Sequence, residues 1–355
     1  MLITAHPRDS VRLPGGAALV DGSAFETRRG GPSRALLRHG DELFVHDLRE
    51  VFAGESAPAA VFPFPWPGWH GGVHSVSPDG TFAVFSGQRA VRAVARDGRT
   101  LWEHPHACWG PELGHPHTGD AQQVCRGSEH GSCRVSDDGR FVWAHVVAEP
   151  EGDADPEYWV VLDARDGRET GRLPLDSCAS GSHHLSHPDG VHMGLCVGMG
   201  QDGVLTRWAR LDGPRPVFRE AGGGEDRILV DVHRDHPGFL TVEHYGEDLV
   251  LHAPDGTVLA EGAPLPPEDP DDDPAFWDYG CGFVDADTVI ASTTDSDEDP
   301  AGRHWLLDAR TLRVRGMVAY PPGRGGGHVR PLGDGTWLTF DPARETLDRW
   351  APAAG

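Results

Sequence analysis

The chain has 355 residues and a formal net charge of −24, from 55 acidic and 31 basic side chains. This charge opposes binding to phosphate backbones and to anionic bilayers, so we predict neither a nucleic-acid partner nor a membrane partner. Lysine and asparagine are absent, which excludes a Schiff-base lysine, a P-loop lysine and the lysine–asparagine pair of protein kinases.

The cysteines and the first residues predict a cytoplasmic location. The six cysteines are dispersed without a paired framework, as in a reducing compartment. Met1 to Arg12 contain no apolar signal core, and no segment reaches the roughly 20 apolar residues that a membrane-spanning helix needs. Lysine and asparagine, the two absent residues, are encoded by AT-rich codons, so their absence points to a high-GC bacterial genome.

One short pattern returns along the chain: an apolar strand, a tight turn with Asp or Pro before Gly, and a second apolar strand. Seven such turns recur at roughly 50-residue intervals, the spacing expected of propeller blades. In chain order the turns lie at Asp21–Gly22, Val76–Phe82, Val135–Phe141, Leu185–Gly190, His236–Phe239, Asp285–Asp287 and Gly333–Thr336.

A second hairpin follows each turn. Tyr158–Asp163 leads into a turn at Asp166-Gly167, and Leu249–His252 leads into a turn at Asp255-Gly256. Asp-Gly between alternating strands is a strong hairpin signal, and two hairpins in succession make a four-stranded blade. No amphipathic helix is predicted between them.

These repeats predict an all-β fold, a single seven-bladed β-propeller domain over residues 1–355. The last repeat offers three strands, and Leu2 to Ala5 can supply its missing outer strand, so the N-terminal strand would close the ring. Six blades remain an alternative because the first repeat, Ala17 to Leu48, is irregular.

The strand and turn at Val161–Gly167 resemble the third strand and turn of WD40-like and quinoprotein-like β-propellers. By its period the resemblance covers essentially the whole chain. It implies architecture only, because such propellers include scaffolds, binding proteins and enzymes, and no functional residue is carried over.

The longest insertions, at about 49–72, 104–132 and 264–280, are expected on one face of the propeller. They carry tryptophans and acidic runs, which suit a cationic or aromatic ligand through cation–π attraction and ion pairing. Histidines at the starts of inner strands would add polar groups. The predicted ligand-binding residues are Trp66, Trp69, His70, Trp109, His130, His183, His184, Trp277, Tyr279 and His328.

Each of these groups also has a structural interpretation. Loop tryptophans can pin a loop to its scaffold, acidic runs can simply solvate a surface, and a histidine in an inner strand can be a packing residue. The segment His104–Cys133 is rich in histidine and cysteine. It presents His115, His117 and Cys125 as candidate ligands for a divalent metal such as zinc, although no zinc-knuckle spacing is present.

Three hypotheses for function remain open. The first is a propeller that binds a small molecule or peptide; the second is a metal-assisted lyase, hydrolase or oxidoreductase that uses the same histidines, with no catalytic residue assigned. The third is a protein-interaction scaffold. No nucleotide cofactor is expected, because Gly198–Gly203 matches a dinucleotide-binding pattern but leads into a strand rather than a helix. The sequence leaves the oligomeric state open and is compatible with a monomer.

Overall fold

The computed structural model describes residues 1–13, 17–19, 24–28, 33–55, 57–66, 69, 71–109, 130–149, 156–212, 215–219, 226–233, 238–265, 274–294, 302–325, 327–341 and 343–353. The chain separates into two compact units. The larger unit comprises residues 16–51 and 55–220, and the smaller unit comprises residues 1–15, 52–54 and 221–355. In the described part of the chain, no helix is both long enough and apolar enough to cross a membrane.

Strand β1 (Leu2–Arg12) begins the chain and belongs to the smaller unit. The larger unit then contains four sheets, each a meander whose first strand lies at one edge. The first sheet is β2 (Ala17–Leu19), β3 (Phe25–Glu26), β4 (Arg34–His39), β5 (Glu42–Asp47) and β6 (Ala60–Pro63), with a short helix α1 (Leu48–Phe52) preceding β6 in the chain. The second is β7 (Ser75–Val76), β8 (Phe82–Ser86), β9 (Ala90–Ala95) and β10 (Thr100–Pro105). The third is β11 (Cys133–Val135), β12 (Phe141–Val147), β13 (Glu157–Asp163) and β14 (Glu169–Leu175). The fourth is β15 (Gly181–Ser186), β16 (His192–Gly198), β17 (Val204–Asp212) and β18 (Arg215–Arg219), with a 3₁₀ turn at Gly200–Asp202.

The smaller unit contains three sheets of the same kind. The first is β19 (Arg227–Val232), β20 (Phe239–Glu243), β21 (Leu249–His252) and β22 (Val258–Gly262). The second is β23 (Phe276–Phe283), β24 (Thr288–Thr294), β25 (Arg303–Asp308) and β26 (Val314–Ala319). The third is β27 (Val329–Pro331), β28 (Trp337–Asp341), β29 (Thr346–Pro352) and part of β1.

Seven blade-like groups of strands are therefore present among the described residues, the last two joined through β1, and the predicted all-β, seven-bladed propeller fold is confirmed. The two central strands of a blade are apolar on both faces, which explains their near-continuous hydrophobic sequence. All seven residues of β12 are buried, and so are six of the seven in β13. Trp143 and Trp159 pack there with ring centroids 5.0 Å apart.

The first blade explains why its repeat is irregular in sequence. Its inner edge is made from two short pieces, since both β2 and β3 pair with β4. The five-residue helix α1 was also not predicted.

The joining of the N-terminal strand to the last blade is confirmed, but of the predicted residues Leu2 to Ala5 only Ala5 takes part in it. Ala5 to Arg12 pair antiparallel with β29, whereas Leu2 to Thr4 pair in parallel with β26 of the preceding blade. The register on β29 shifts between Pro7 and Asp9, where proline has no N–H to donate. One strand of 11 residues thus completes one sheet and extends another.

All three predicted insertions include residues of helices or strands. The segment 49–72 includes the end of α1 and the whole of β6, an edge strand in which Pro63 is tolerated. The segment 264–280 ends within β23, and 104–132 begins within β10. Between residues 104 and 132, residues 110–129 lie outside the described part of the chain.

The double role of β1 leads to a stability prediction. Ala5 is 1% exposed in the core of the last blade. We expect Ala5→Asp to lower the free energy of unfolding by about 3 kcal/mol or more, because it buries an unpaired carboxylate. Guanidinium unfolding monitored by tryptophan fluorescence measures this change. Thr4→Asp is the matched control, because its side chain is exposed on the same strand; equal losses in both variants would contradict the assigned register.

Candidate functional site

Three predicted binding residues of the larger unit are buried tryptophans. Trp66, Trp69 and Trp109 are only 8%, 6% and 4% exposed, and all three pack into hydrophobic clusters of the blades. Trp69 Nε1 donates to the Ser86 carbonyl at 3.2 Å, and the Arg92 guanidinium lies 4.7 Å above the Trp66 ring. In these positions the indoles pin the connecting segments to the blades.

The histidines predicted beside them are only partly accessible. The His130 ring is half-buried, and a Cβ added at Gly181 would lie 3.2 Å from its Cε1 atom. His183 is half-buried on β15, while its neighbour His184 is buried. His70, His115, His117 and Cys125 lie outside the described residues, so the predicted zinc site remains a prediction.

His184 belongs to a buried hydrogen-bond chain. Trp159 Nε1 donates to His184 Nε2 at 3.0 Å, and His184 Nδ1 lies 2.9 Å from Ser132 Oγ. Ser132 Oγ is 2.7 Å from Ser182 Oγ, which is 2.9 Å from His145 Nδ1. His145 Nε2 then contacts Glu157 Oε2 at 3.0 Å. With both imidazoles neutral, every donor in this chain has an acceptor.

Glu157 closes the chain as an ionised acceptor. It also accepts a hydrogen bond from the Ala179 amide at 2.7 Å. Burial opposes its ionisation, but the hydrogen bond from His145 and the other donors lower its pKa. The order serine, histidine, glutamate resembles that of a hydrolase triad, but Ser182 is only 6% exposed and its hydroxyl is already shared between Ser132 and His145. This arrangement stabilises adjacent blades and presents no accessible nucleophile.

In the smaller unit, the predicted residues differ strongly in exposure. Trp277 is 2% exposed, and its indole donates to the Gly262 carbonyl at 3.0 Å. His328, directly before β27, is exposed. Tyr279 is 48% exposed, although it lies on the innermost strand of its blade.

Tyr279 forms part of an exposed aromatic patch, defined by His244, Tyr245, Phe276 and Tyr279. Tyr279 Oη donates to the His244 carbonyl at 2.7 Å, and the His244 and Tyr245 rings are 4.9 Å apart. Tyr245 is 67% exposed and Phe276 is 37% exposed. The patch joins the turn between β20 and β21 to the start of β23.

Two local features hold the patch in place. The Trp277 amide donates to the Gly246 carbonyl at 3.0 Å, which ties the turn to β23. Gly246 has φ +79°, and a Cβ there would come within 2.3 Å of the Trp277 carbonyl, so only glycine allows this approach. No sequence pattern predicts this contact, because the two segments are separated along the chain.

A β-bulge in β23 turns Tyr279 outward. Trp277 pairs with Thr293 and Cys281 with Ala291, so three residues of β23 face the single residue Ser292. Bulges re-aim side chains and are frequent next to functional sites. Here Trp277 enters the core while Phe276 and Tyr279 remain exposed.

Carboxylates surround the patch. Glu247 is exposed in the turn, and the Glu243 carboxylate accepts the Tyr245 amide at 2.7 Å. Asp278 adjoins Tyr279, and Asp226 Oδ1 lies 3.2 Å from His244 Nδ1. The nearby Arg227 is paired with Asp248. Exposed rings bordered by carboxylates can bind a cation by cation–π contact and ion pairing.

Comparison with known proteins supports the fold alone. No protein-family model matches the sequence, and no curated protein matches it. The crystal structure of the Cps50 (Swd1) β-propeller domain from Myceliophteria thermophila is similar, with TM-score 0.55 at 11% identity over 96% of this chain and 98% of that one. BamB from Moraxella catarrhalis is also similar, with TM-score 0.50 at 12% identity over 99% of this chain and 98% of that one. Both the WD40-like and the quinoprotein-like resemblance are therefore confirmed as architecture.

Buried histidines make the fold sensitive to acid. His74 is 2% exposed on the inner edge of the second blade, where its Nδ1 accepts the Ser86 amide at 3.3 Å. Burial, with a smaller effect of His130, lowers the pKa of His74 to about 3. Burial likewise lowers the pKa of His304 to about 4.

We expect the stability of the protein to fall as the pH drops below about 6.5, the pKa of histidine in the unfolded chain. Between that pH and its folded-state pKa, the unfolded chain binds a proton that buried His74 does not. The loss is at most about 1.4 kcal/mol per pH unit for each such histidine. Urea unfolding from neutral to acidic pH should give a shallower pH dependence for His74→Gln than for the wild type; an unchanged slope would contradict the neutral buried state.

Proposed function

We propose that this propeller is an interaction module whose aromatic patch binds a positively charged segment of another protein. The observation that carries the proposal is the juxtaposition of Tyr245, Phe276 and Tyr279, all exposed, with the carboxylates around them. Arginine and lysine side chains offer both interactions that such a surface provides, because a guanidinium or ammonium can stack on a ring while pairing with a carboxylate.

Burial of the predicted tryptophans supports the patch as the contact surface. Trp66, Trp69, Trp109 and Trp277 lie in blade cores, where they hold connecting segments. Tyrosine combines a large rigid ring with a polar end, and exposed tyrosines are typical of protein-interaction surfaces. A propeller scaffold suits this role, since the turns that carry the patch are fixed by regular strands on both sides.

The carboxylates around the aromatic patch also disfavour negatively charged partners. Glu243, Glu247 and Asp278 would repel an acidic peptide or a phosphate backbone, and the nearby Arg227 is already paired with Asp248. Each cation–π contact at an exposed site contributes about 0.5–1 kcal/mol, and each exposed ion pair contributes somewhat less. A few such contacts predict a weak, reversible and salt-sensitive interaction.

The test uses a fluorescein-labelled peptide with about five arginines spaced by glycines, followed by fluorescence anisotropy. Wild-type protein should bind it, and raising NaCl from about 0.05 to 0.5 M should weaken binding strongly, because salt screens exposed charges. Tyr245→Ala should raise Kd about fivefold, which corresponds to one lost cation–π contact.

Leu259→Ala is the matched control, because Leu259 is 57% exposed on the outer strand β22 of the same blade. It should leave Kd unchanged. Tyr245→Ala binding the peptide as tightly as the wild type, or binding that salt does not affect, would refute the proposed surface. Since Tyr245 is so exposed, the thermal midpoint of Tyr245→Ala should match that of the wild type.

A further inference from the structure

The turn between β15 and β16 in the larger unit carries a second group of chemically capable side chains. His187, Asp189 and His192 each direct one potential ligand atom to a common point, and these atoms lie within 4.8 Å of one another. Asp189 Oδ2 is 3.0 Å from His187 Nδ1 and 2.6 Å from His192 Nδ1. This group belongs to the larger unit, whereas the aromatic patch belongs to the smaller unit.

Backbone hydrogen bonds orient the carboxylate. Asp189 Oδ1 accepts the amides of Val191 and His192, at 2.8 and 3.0 Å. Oδ2 is therefore the oxygen that faces the two imidazoles. The carboxylate is thus preoriented.

Two other turns of the same chain show what this turn needs for folding. In the second and third blades, Ser77 and Ser136 occupy the position of His187, and Phe82 and Phe141 occupy the position of His192. The backbone is the same in all three turns: the first residue's amide donates to the carbonyl of the sixth at 2.9, 2.9 and 3.0 Å, and the glycine has φ +67°, +72° and +71°.

The serines of those turns act locally. Ser77 Oγ donates to Asp79 Oδ1 at 2.7 Å and accepts the Phe82 amide at 3.1 Å. Ser136 repeats both contacts with Asp138 and Phe141, at 2.7 and 3.0 Å. His187 Nδ1 likewise accepts an amide within its own turn, that of Asp189 at 3.2 Å. Because serine and phenylalanine suffice in the other two turns, the backbone does not require imidazoles at these two positions.

The surroundings of the group combine rigidity with access. The His187 side chain is 9% exposed, with its ring 6.0 Å from the Trp208 ring and 5.8 Å from that of His192. His192 and Asp189 are more open, with side chains 34% and 36% exposed. An ion from solvent can therefore reach His192 and Asp189, while His187 is already held in place by packing.

We infer that His187, Asp189 and His192 form a binding site for a divalent transition metal of the zinc type. Two imidazole nitrogens and one carboxylate oxygen are ligands that zinc accepts at about 2.0–2.2 Å, in a set that leaves a position for water. Around a tetrahedral ion such ligand atoms stand roughly 3.3 Å apart. The two short contacts to Asp189 Oδ2 reach that spacing by small movements of the open His192 and Asp189 side chains.

The experiment is isothermal titration of ZnCl2 into tag-free, chelator-treated full-length protein at about pH 7.5, where histidine is mostly neutral. The wild type should show a site that the double variant His187→Ser, His192→Phe lacks, with one zinc fewer per chain. That variant takes its residues from the two sister turns, so we expect it to fold. The single variant His192→Phe should weaken the same site, and it repeats the test independently of how the double variant folds.

Two further measurements distinguish this site from others. His115→Ser with His117→Ser removes two of the metal ligands predicted from sequence alone, and the site should survive this change. Copper(II) should quench the fluorescence of nearby Trp208 in the wild type and do so less in the double variant. Zinc binding with equal stoichiometry and affinity in the wild type and in the double variant would overturn the inference. Absence of zinc binding to the wild type would overturn it too, as would loss of the site in the His115/His117 variant.

Discussion

Burial of both faces of the two central strands in each blade is the constraint on which this structure depends. In β12 and β13 nearly every side chain is inaccessible, so backbone polar groups must be satisfied within the sheet and side chains must be apolar or internally paired. The blade sequence is therefore strongly restricted in its centre. Side chains that are free to form a binding surface are therefore found in turns, bulges and connecting segments.

Polar side chains inside the blades follow from the same constraint. Trp305 donates to Thr293 at 3.1 Å, and Trp350 donates to Thr339 at 2.9 Å, each across one pair of neighbouring strands. The chain from Trp159 to Glu157 is a longer version of this pairing. Histidine is useful in such positions because its neutral form both donates and accepts. An abundance of histidine and tryptophan is thus a property of the scaffold before it is evidence of a site.

This explains why the sequence predicted the fold better than the binding surface. Turn residues report on backbone conformation directly: an Asp-Gly turn requires a glycine at positive φ and an aspartate that accepts a nearby amide, and both are local. The recurrence of such turns, together with weaker copies at His236–Phe239 and Asp285–Asp287, was enough to predict the blades. Whether Trp66 or Trp277 is buried depends on contacts with distant segments of the chain. The residues next to each tryptophan in the sequence carry no information about those contacts.

The errors in detail have the same origin. The crossing of β1 from one blade to the next depends on pairing with β26 and β29, more than 300 residues later. The bulge in β23 that exposes Tyr279 is a mismatch between two strands, and neither strand shows it alone. The group at His187 was visible in sequence only as one more turn, because its three ligands come together through the fold of that turn and its next strand.

The absence of asparagine offers a structural explanation for part of the negative net charge. Asparagine and aspartate both accept the amide two residues on, but only aspartate brings a charge. In this chain Asp79, Asp138, Asp255 and Asp334 all perform that role, so part of the −24 arises from turn chemistry. Overall charge is therefore weak evidence for a basic partner. What distinguishes the aromatic patch is local: its carboxylates stand beside exposed rings, where the burial that governs the rest of each blade does not apply.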